Sequence, residues 1–117
     1  MSETGANADA HELAKFDRSA AHWWDPEGEF QPLHRMNPLR LGFVRERLLA
    51  QFGGDPTSVR PFAGRRIVDV GCGGGLMTEP LARLGAEVVG LDASRESVEV
   101  ARLHAAESGL AIDYHHD

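Results

Sequence analysis

The stretch Ile67–Leu76, IVDVGCGGGL, decides the fold. A short apolar run carrying Asp69 meets Gly71, Gly73, Gly74 and Gly75. A β-branched apolar run reads as a buried strand. The glycines after it allow a sharp turn and a close backbone approach that a side chain would block. The following LMTEPLARLG reads as a short helix closed by Gly85. Its start belongs near Leu76 or Met77. There Pro80 falls among the first amides, which have no helical partner in any case.

Outward from this unit the pattern repeats. RRIVDV is the first buried strand and AEVVGLD the second. SRESVEVARLHAAES is a helix capped by Ser94 and stopped by Gly109, and LAIDY is a third strand. Strand, helix, strand, helix, strand with tight connections predicts an α/β, Rossmann-like parallel sheet with helical crossovers. Upstream, residues 11–24 place Leu13, Phe16, Ala20 and Trp23 or Trp24 at helical spacing. DPEGEFQPLHRM reads as a loop broken by Pro26, Gly28 and Pro32. Asn37-Pro38 reads as a helix start, running on to Gly53-Gly54. The expected organisation is a disordered N-terminus over 1–10, a helical cap and linker over 11–64, and a ligand-binding sheet over 65–117.

Composition narrows the class. The chain has 117 residues, 42% apolar and 26% charged, as one small globular domain would. A net charge of -6 argues against a nucleic-acid surface. No apolar run is long enough to span a membrane. The N-terminal MSETGANADAHE resembles neither a secretory signal nor a transit peptide. The single cysteine, Cys72, excludes an internal disulfide and fits a reducing cytoplasm.

Asp69, Gly71, Gly73 and Gly75 form D-x-G-x-G-x-G. A dinucleotide loop wants its third glycine where Leu76 stands, and a Walker loop needs a terminal Gly-Lys-Ser/Thr that is absent. Pyrophosphate is therefore not the best ligand. Asp92 closes the second strand, 21 residues after Gly71. An acid at that offset suits the two hydroxyls of a ribose. Together these features point to an adenosyl cofactor with little or no phosphate. The plainer readings are a tight turn for the glycines and a helix cap for Asp92.

VDVGCGGGL with GLD downstream resembles the first motif and following acid of class I S-adenosylmethionine-dependent methyltransferases. FDRSAAHWWDPEGEFQPLHRMNPLRLGFV is similar to the opening of the ubiquinone biosynthesis O-methyltransferases. The order WWD, GEF, PLH, NPLR ahead of DVGCGGG is the sharper signal. The resemblance covers roughly residues 12–117. It implies methyl transfer from S-adenosylmethionine to a catechol-type hydroxyl on a polyprenylated ring. It also implies a bacterial cytoplasmic enzyme, peripheral at the inner face of the membrane or associated with a ubiquinone-pathway complex. It carries cofactor contacts to Arg40, Gly71 and Asp92, with Asp69, Gly73 and Gly75 in the same loop. Arg40 would pair with the methionine carboxylate through its planar fork; read without the resemblance, it is a solvated helix residue.

The family's sheet has seven strands, and residues 65–117 account for the first half of that domain. The expectation is an N-terminal fragment with a bare edge on its first strand, prone to aggregation and inactive alone. The acid, histidine and any divalent-metal ligands that the family uses on the acceptor lie in the other half. No metal site is read from this chain and no catalytic base is assigned. His34 is the best local candidate, although a structural histidine is the plainer reading. Trp23-Trp24 could cover a cofactor or pack a core. Cys72 reads as packed rather than reactive. His115, His116 and Asp117 alternate across a strand and do not form a metal tripeptide. Arg45, Glu46 and Arg47 read as a solvated helix face. Competing functions are a non-catalytic S-adenosylmethionine-binding or assembly half-domain, a small-molecule methyltransferase of another pathway, and half of a nucleotide-dependent oxidoreductase.

Overall fold

The computed structural model describes residues 21–117, so the expectations for residues 1–10, and for Leu13, Phe16 and Ala20, lie outside the described residues. Residues 21–24 are helical. After them come α1 (Gln31–Phe52), β1 (Arg66–Val70), α2 (Thr78–Arg83), β2 (Glu87–Asp92), α3 (Arg95–Glu107) and β3 (Asp113–His116). The three strands are parallel in the order β1-β2-β3. Ile67 pairs with Val88, Asp69 with Gly90, and Gly90 in turn with Tyr114.

Sequential parallel strands need two crossovers of one hand, which puts both helices on one face of the sheet. The core lies there. Val88 packs with Phe62, Met77, Leu81 and Ala86, and α1 lays Leu41, Val44, Leu48 and Leu49 against this cluster. Tyr114 packs with Cys72, Val98, Ala101 and Ala105 beneath α3. The Ser94 cap is as expected, its hydroxyl accepting from Ser97 N at 3.2 Å. The third strand begins three residues later than the LAIDY reading.

Two expectations are corrected. The first strand is not buried on both faces: Val68 is 58% and Val70 79% exposed. The continuous apolar run suggested two covered faces, but helices cover only the Ile67–Val88–Tyr114 side. Among the described residues β1 is also a sheet edge, pairing only with β2. The second correction concerns α1, which starts at Gln31 and not at Asn37. Pro32 occupies the first helical turn, where its missing N–H costs nothing, and Pro38 lies inside the helix. Asn37 is not a cap. Its Nδ2 donates to Leu76 O at 2.7 Å, tying α1 to the end of the glycine loop. Tertiary anchoring of this kind overrides the local Asn-Pro signal.

Glycine is required where Tyr114 seats. A Cβ on Gly90 would stand 2.5 Å from the Tyr114 ring, whereas one on Gly42, inside α1, would meet nothing within 4 Å. Gly90→Ala is therefore expected to destabilise the chain by about 1–3 kcal/mol. Gly42→Ala is expected to stabilise it by about 0.5–1 kcal/mol. Urea unfolding of the two variants checks both signs at once.

Candidate functional site

The strand-to-helix turn after β1 is fixed by its backbone. Gly71 N and Cys72 N both donate to Leu91 O, at 2.7 and 3.0 Å, which draws the turn onto the end of β2. Gly71 and Gly73 have φ of 75° and 55°, a region open to glycine at little cost. Asp92 clamps the turn from β2. Its Oδ2 accepts from Gly73 N at 2.9 Å, and its Oδ1 from Ser94 N at 2.8 Å. One carboxylate thus joins the glycine loop to the start of α3.

A cavity of about 190 Å³ opens beside this loop, lined by Trp23, Leu33, Arg40, Asp69, Gly71, Cys72, Gly73, Leu76 and Met77. Four of the six residues singled out in the sequence therefore meet at one place: Arg40, Asp69, Gly71 and Gly73. Arg40 arrives from α1, far off in sequence. Asp92 holds the loop through its bond to Gly73 and does not line this cavity. Gly75 faces the other way, where a Cβ would stand 2.5 Å from the Tyr114 hydroxyl. In this structure it gives the Tyr114 hydroxyl room to pack.

Asp69 is half-buried and accepts from Thr78 Oγ1 at 2.8 Å. Burial pushes its carboxyl above the ordinary value, and the negative charge of Asp92 adds to that. The Thr78 hydroxyl and the Arg40 guanidinium oppose the shift. Cys72, 8% exposed, packs under Tyr114. Burial, then the charges of Asp69 and Asp92, push its thiol up to about 11. That agrees with a packed rather than a reactive cysteine.

Other candidates have partners within the fold. His34 Nε2 bonds to Trp23 O at 2.7 Å, the structural role. His115 reaches Asp113 at 3.0 Å, while His116 reaches Ala93 O at 3.0 Å. Among the described residues no group of three or more His, Cys, Asp or Glu is placed to hold a metal ion. Arg47 lies over the Phe43 ring, 4.9 Å from its centre.

Sequence reasoning left the tryptophans undecided and missed their neighbours. Trp23 stacks on Phe30 at 4.1 Å and walls the cavity. Trp24 donates from Nε1 to Gly74 O at 3.0 Å and lies flat on His104. Glu79, wholly buried, bonds to His104. A glutamate two residues into a helix that follows a buried loop was the available hint, since lone carboxylates are seldom fully buried.

Residues 67–117 match the methyltransferase domain family. This is a Rossmann-like class I methyltransferase fold, present as three of its strands. The magnesium protoporphyrin IX methyltransferase of Synechocystis PCC 6803, solved with bound SAM, aligns with a TM-score of 0.62 at 27% identity, covering 88% of this chain and 48% of that one. A T. Thermophilus 16S rRNA methyltransferase in complex with AdoMet and guanosine aligns at 0.53 with 31% identity, over 66% of this chain and 19% of its own. In sequence, the ubiquinone biosynthesis O-methyltransferase of Mesorhizobium japonicum is 58% identical over 106 residues, which is 91% of this chain and 43% of that protein. Its counterpart in Brucella anthropi is 55% identical over 115 residues, 97% and 46% respectively. The chain is thus a homologue of these enzymes and spans less than half their length, and the resemblance in the sequence is borne out.

The thiol gives a pH prediction. Between pH 9 and about 11 the unfolded chain has released the Cys72 proton while the folded chain retains it. Stability contributed by this group is therefore full below pH 9 and is lost as pH rises through that window. Cys72→Ala is expected to flatten the fall in urea midpoint between pH 9 and 11. In the folded wild type, iodoacetamide is expected to label Cys72 slowly at pH 8, and quickly once urea unfolds the chain.

Proposed function

We propose that this chain carries the cofactor-binding part of an S-adenosylmethionine-dependent O-methyltransferase of ubiquinone biosynthesis, acting on a catechol-type hydroxyl of a polyprenylated ring. The observation that carries the reading is the meeting of Arg40 with Asp69, Gly71 and Gly73 around one cavity, with Asp92 bonded to the same loop. The names of the relatives that align over nearly the whole chain supply the pathway.

The residues fit the cofactor on three counts. No heavy atom lies within 4 Å of where a Cβ on Gly71 would stand, so the backbone there is open to a ligand. Asp92 has spent one lone pair on each oxygen, and a carboxylate has about four acceptor positions, so it can still take two ribose hydroxyls. Arg40 supplies a planar pair of donors for a carboxylate. The cavity is smaller than the ~300–1,000 Å³ of a whole small-molecule site. It suits the amino-acid end, with the adenosyl end on the open side of the loop towards Asp92.

The bound cofactor supplies an electrophilic methyl group, and what these residues do is hold and orient it. Arg40 anchors the carboxylate and Asp92 the ribose. Asp69 and Thr78 brace the loop from below. The acceptor hydroxyl must lose a proton, and no base for it is assigned among the described residues. A polyprenylated substrate resides in lipid, so a cytoplasmic enzyme would work as a peripheral visitor to the membrane. Among the described residues no helix is long and apolar enough to cross one.

Calorimetry with S-adenosylhomocysteine tests the cofactor site. Binding by the wild-type chain is expected, with Arg40→Ala and Asp92→Ala each at least about tenfold weaker. Wild-type affinity in both variants would sink the assignment. Radiolabelled methyl transfer to a polyprenylated catechol, set against an unprenylated one, separates this pathway from another small-molecule methyltransferase. Transfer is expected only when the other half of the family's domain is supplied; by residues 1–117 alone, cofactor binding with no transfer to either acceptor is the expected result, and transfer would overturn the expectation that this part is inactive.

A further inference from the structure

Glu79 is a side chain that the cofactor reading does not use. It is 0% exposed, and a lone carboxylate in a core is costly unless paired. Its Oε2 lies 2.6 Å from His104 Nδ1, and its Oε1 is 3.5 Å from Arg83 Nη2. The His104 ring, with Ser108 Oγ at 3.4 Å from the same nitrogen, lies on the Trp24 indole at 3.6 Å and 2° between planes. Trp24 then donates to the carbonyl of Gly74. A continuous line runs from α2 through α3 and the N-terminal helical turn back to the glycine loop.

We propose that Glu79 and His104 are positioning residues for the glycine loop, acting through Trp24. The inference rests on reading that loop as the cofactor site. The geometry is specific about what is held. The peptide between Gly74 and Gly75 is pinned at both ends: its carbonyl by Trp24 Nε1 at 3.0 Å, its N–H by Cys72 O at 3.1 Å. Trp23 covers the same glycine so closely that a Cβ there would stand 2.7 Å from the indole. Two adjacent tryptophans thus hold one peptide, one by contact and one by hydrogen bond. Glu79 reinforces this from the helix side, its own N–H donating to Gly75 O at 3.0 Å. An apolar pair could fill the space of Glu79 and His104, but it would not fix the imidazole flat against the indole. The directional bond from the carboxylate sets the ring plane, the ring plane sets the indole, and the indole sets the loop carbonyl.

The test is a double-mutant cycle read at the loop itself. Trp24→Phe removes the indole N–H and keeps an aromatic ring. His104→Gln keeps a partner for Glu79 and removes the stacked ring. Exchange of the Gly75 amide, followed by NMR without cofactor, is expected to quicken about five- to tenfold in Trp24→Phe. His104→Gln should produce much of the same change, and the double variant no more than Trp24→Phe alone. Glu79→Gln, in place of His104→Gln, repeats the cycle if the first variant does not fold. S-adenosylhomocysteine affinity should fall in parallel, while an exposed substitution such as Arg95→Ala leaves both unchanged. Unaltered Gly75 exchange in Trp24→Phe, or additive effects in the double variant, overturns the proposal. If the wild-type chain does not bind S-adenosylhomocysteine, the cofactor reading fails, and the exchange cycle still decides whether these residues set the loop.

Discussion

The structure depends on a steric constraint: aromatic rings stand where side chains of the glycine loop and of β2 would otherwise be. Trp23 lies over Gly73 and Gly74, and Tyr114 fills the space in front of Gly75 and Gly90. Close packing between backbone and ring brings the loop down onto β2, and that descent lets Asp92 reach Gly73 N. Because Tyr114 comes from β3, the last strand helps to shape a loop that follows the first. The hydroxyl of Tyr114 lies beside Thr78, which in turn holds Asp69. Burial drives the Tyr114 phenol strongly upward, so the ring stays neutral in the core. The cavity wall, the sheet and the start of α2 are therefore one packing problem.

The alternation of strands and helices was legible because each boundary carries a local chemical marker. Ser94 caps α3, Gly85 follows α2, and Gly53 ends α1. The meeting of Arg40, Asp69, Gly71 and Gly73 around one cavity was legible because the glycine loop and a resembling N-terminal block single those residues out. The start of α1 was not legible. Asn37-Pro38 is a good local helix signal, and what overrides it is a bond to Leu76, 39 residues away. Gly75 carries a packing constraint that the sequence does not reveal, for a related reason. Spacing shows that a side chain is unwelcome, but not whether a ligand or a tyrosine excludes it. The pair of Glu79 and His104 left no periodic signal, since its two members sit on different helices and meet only in the folded chain.

The sheet is finished on one side only. Val68 and Val70 project from β1 to the face that the described helices do not cover, and among the described residues β1 has no partner on its outer edge. Leu39 is 80% and Phe43 59% exposed on the outer side of α1. Apolar side chains placed this way are only partly covered by residues 21–117, and an open apolar edge is a pairing site. The glycine loop does not share this weakness. Its bonds to Leu91, Asp92, Trp24 and Asn37 are all made within the described chain. Burial of the sheet and shaping of the loop are thus separable, and the loop is complete while the sheet is not.

That separation bears on the electrostatics of the site. Asp69 and Asp92 bring two carboxyls close enough to influence each other, and the chain as a whole carries a charge of -6. A field of this sign repels phosphate and favours a ligand with cationic character next to the acids. Arg40 is the local exception, and its charge reaches Asp69. One cation beside two acids is a poor match for a polyphosphate. The same argument explains why the glycine pattern here should not be read as a dinucleotide loop. The absence of a third glycine at Leu76 is a difference of shape that points away from pyrophosphate.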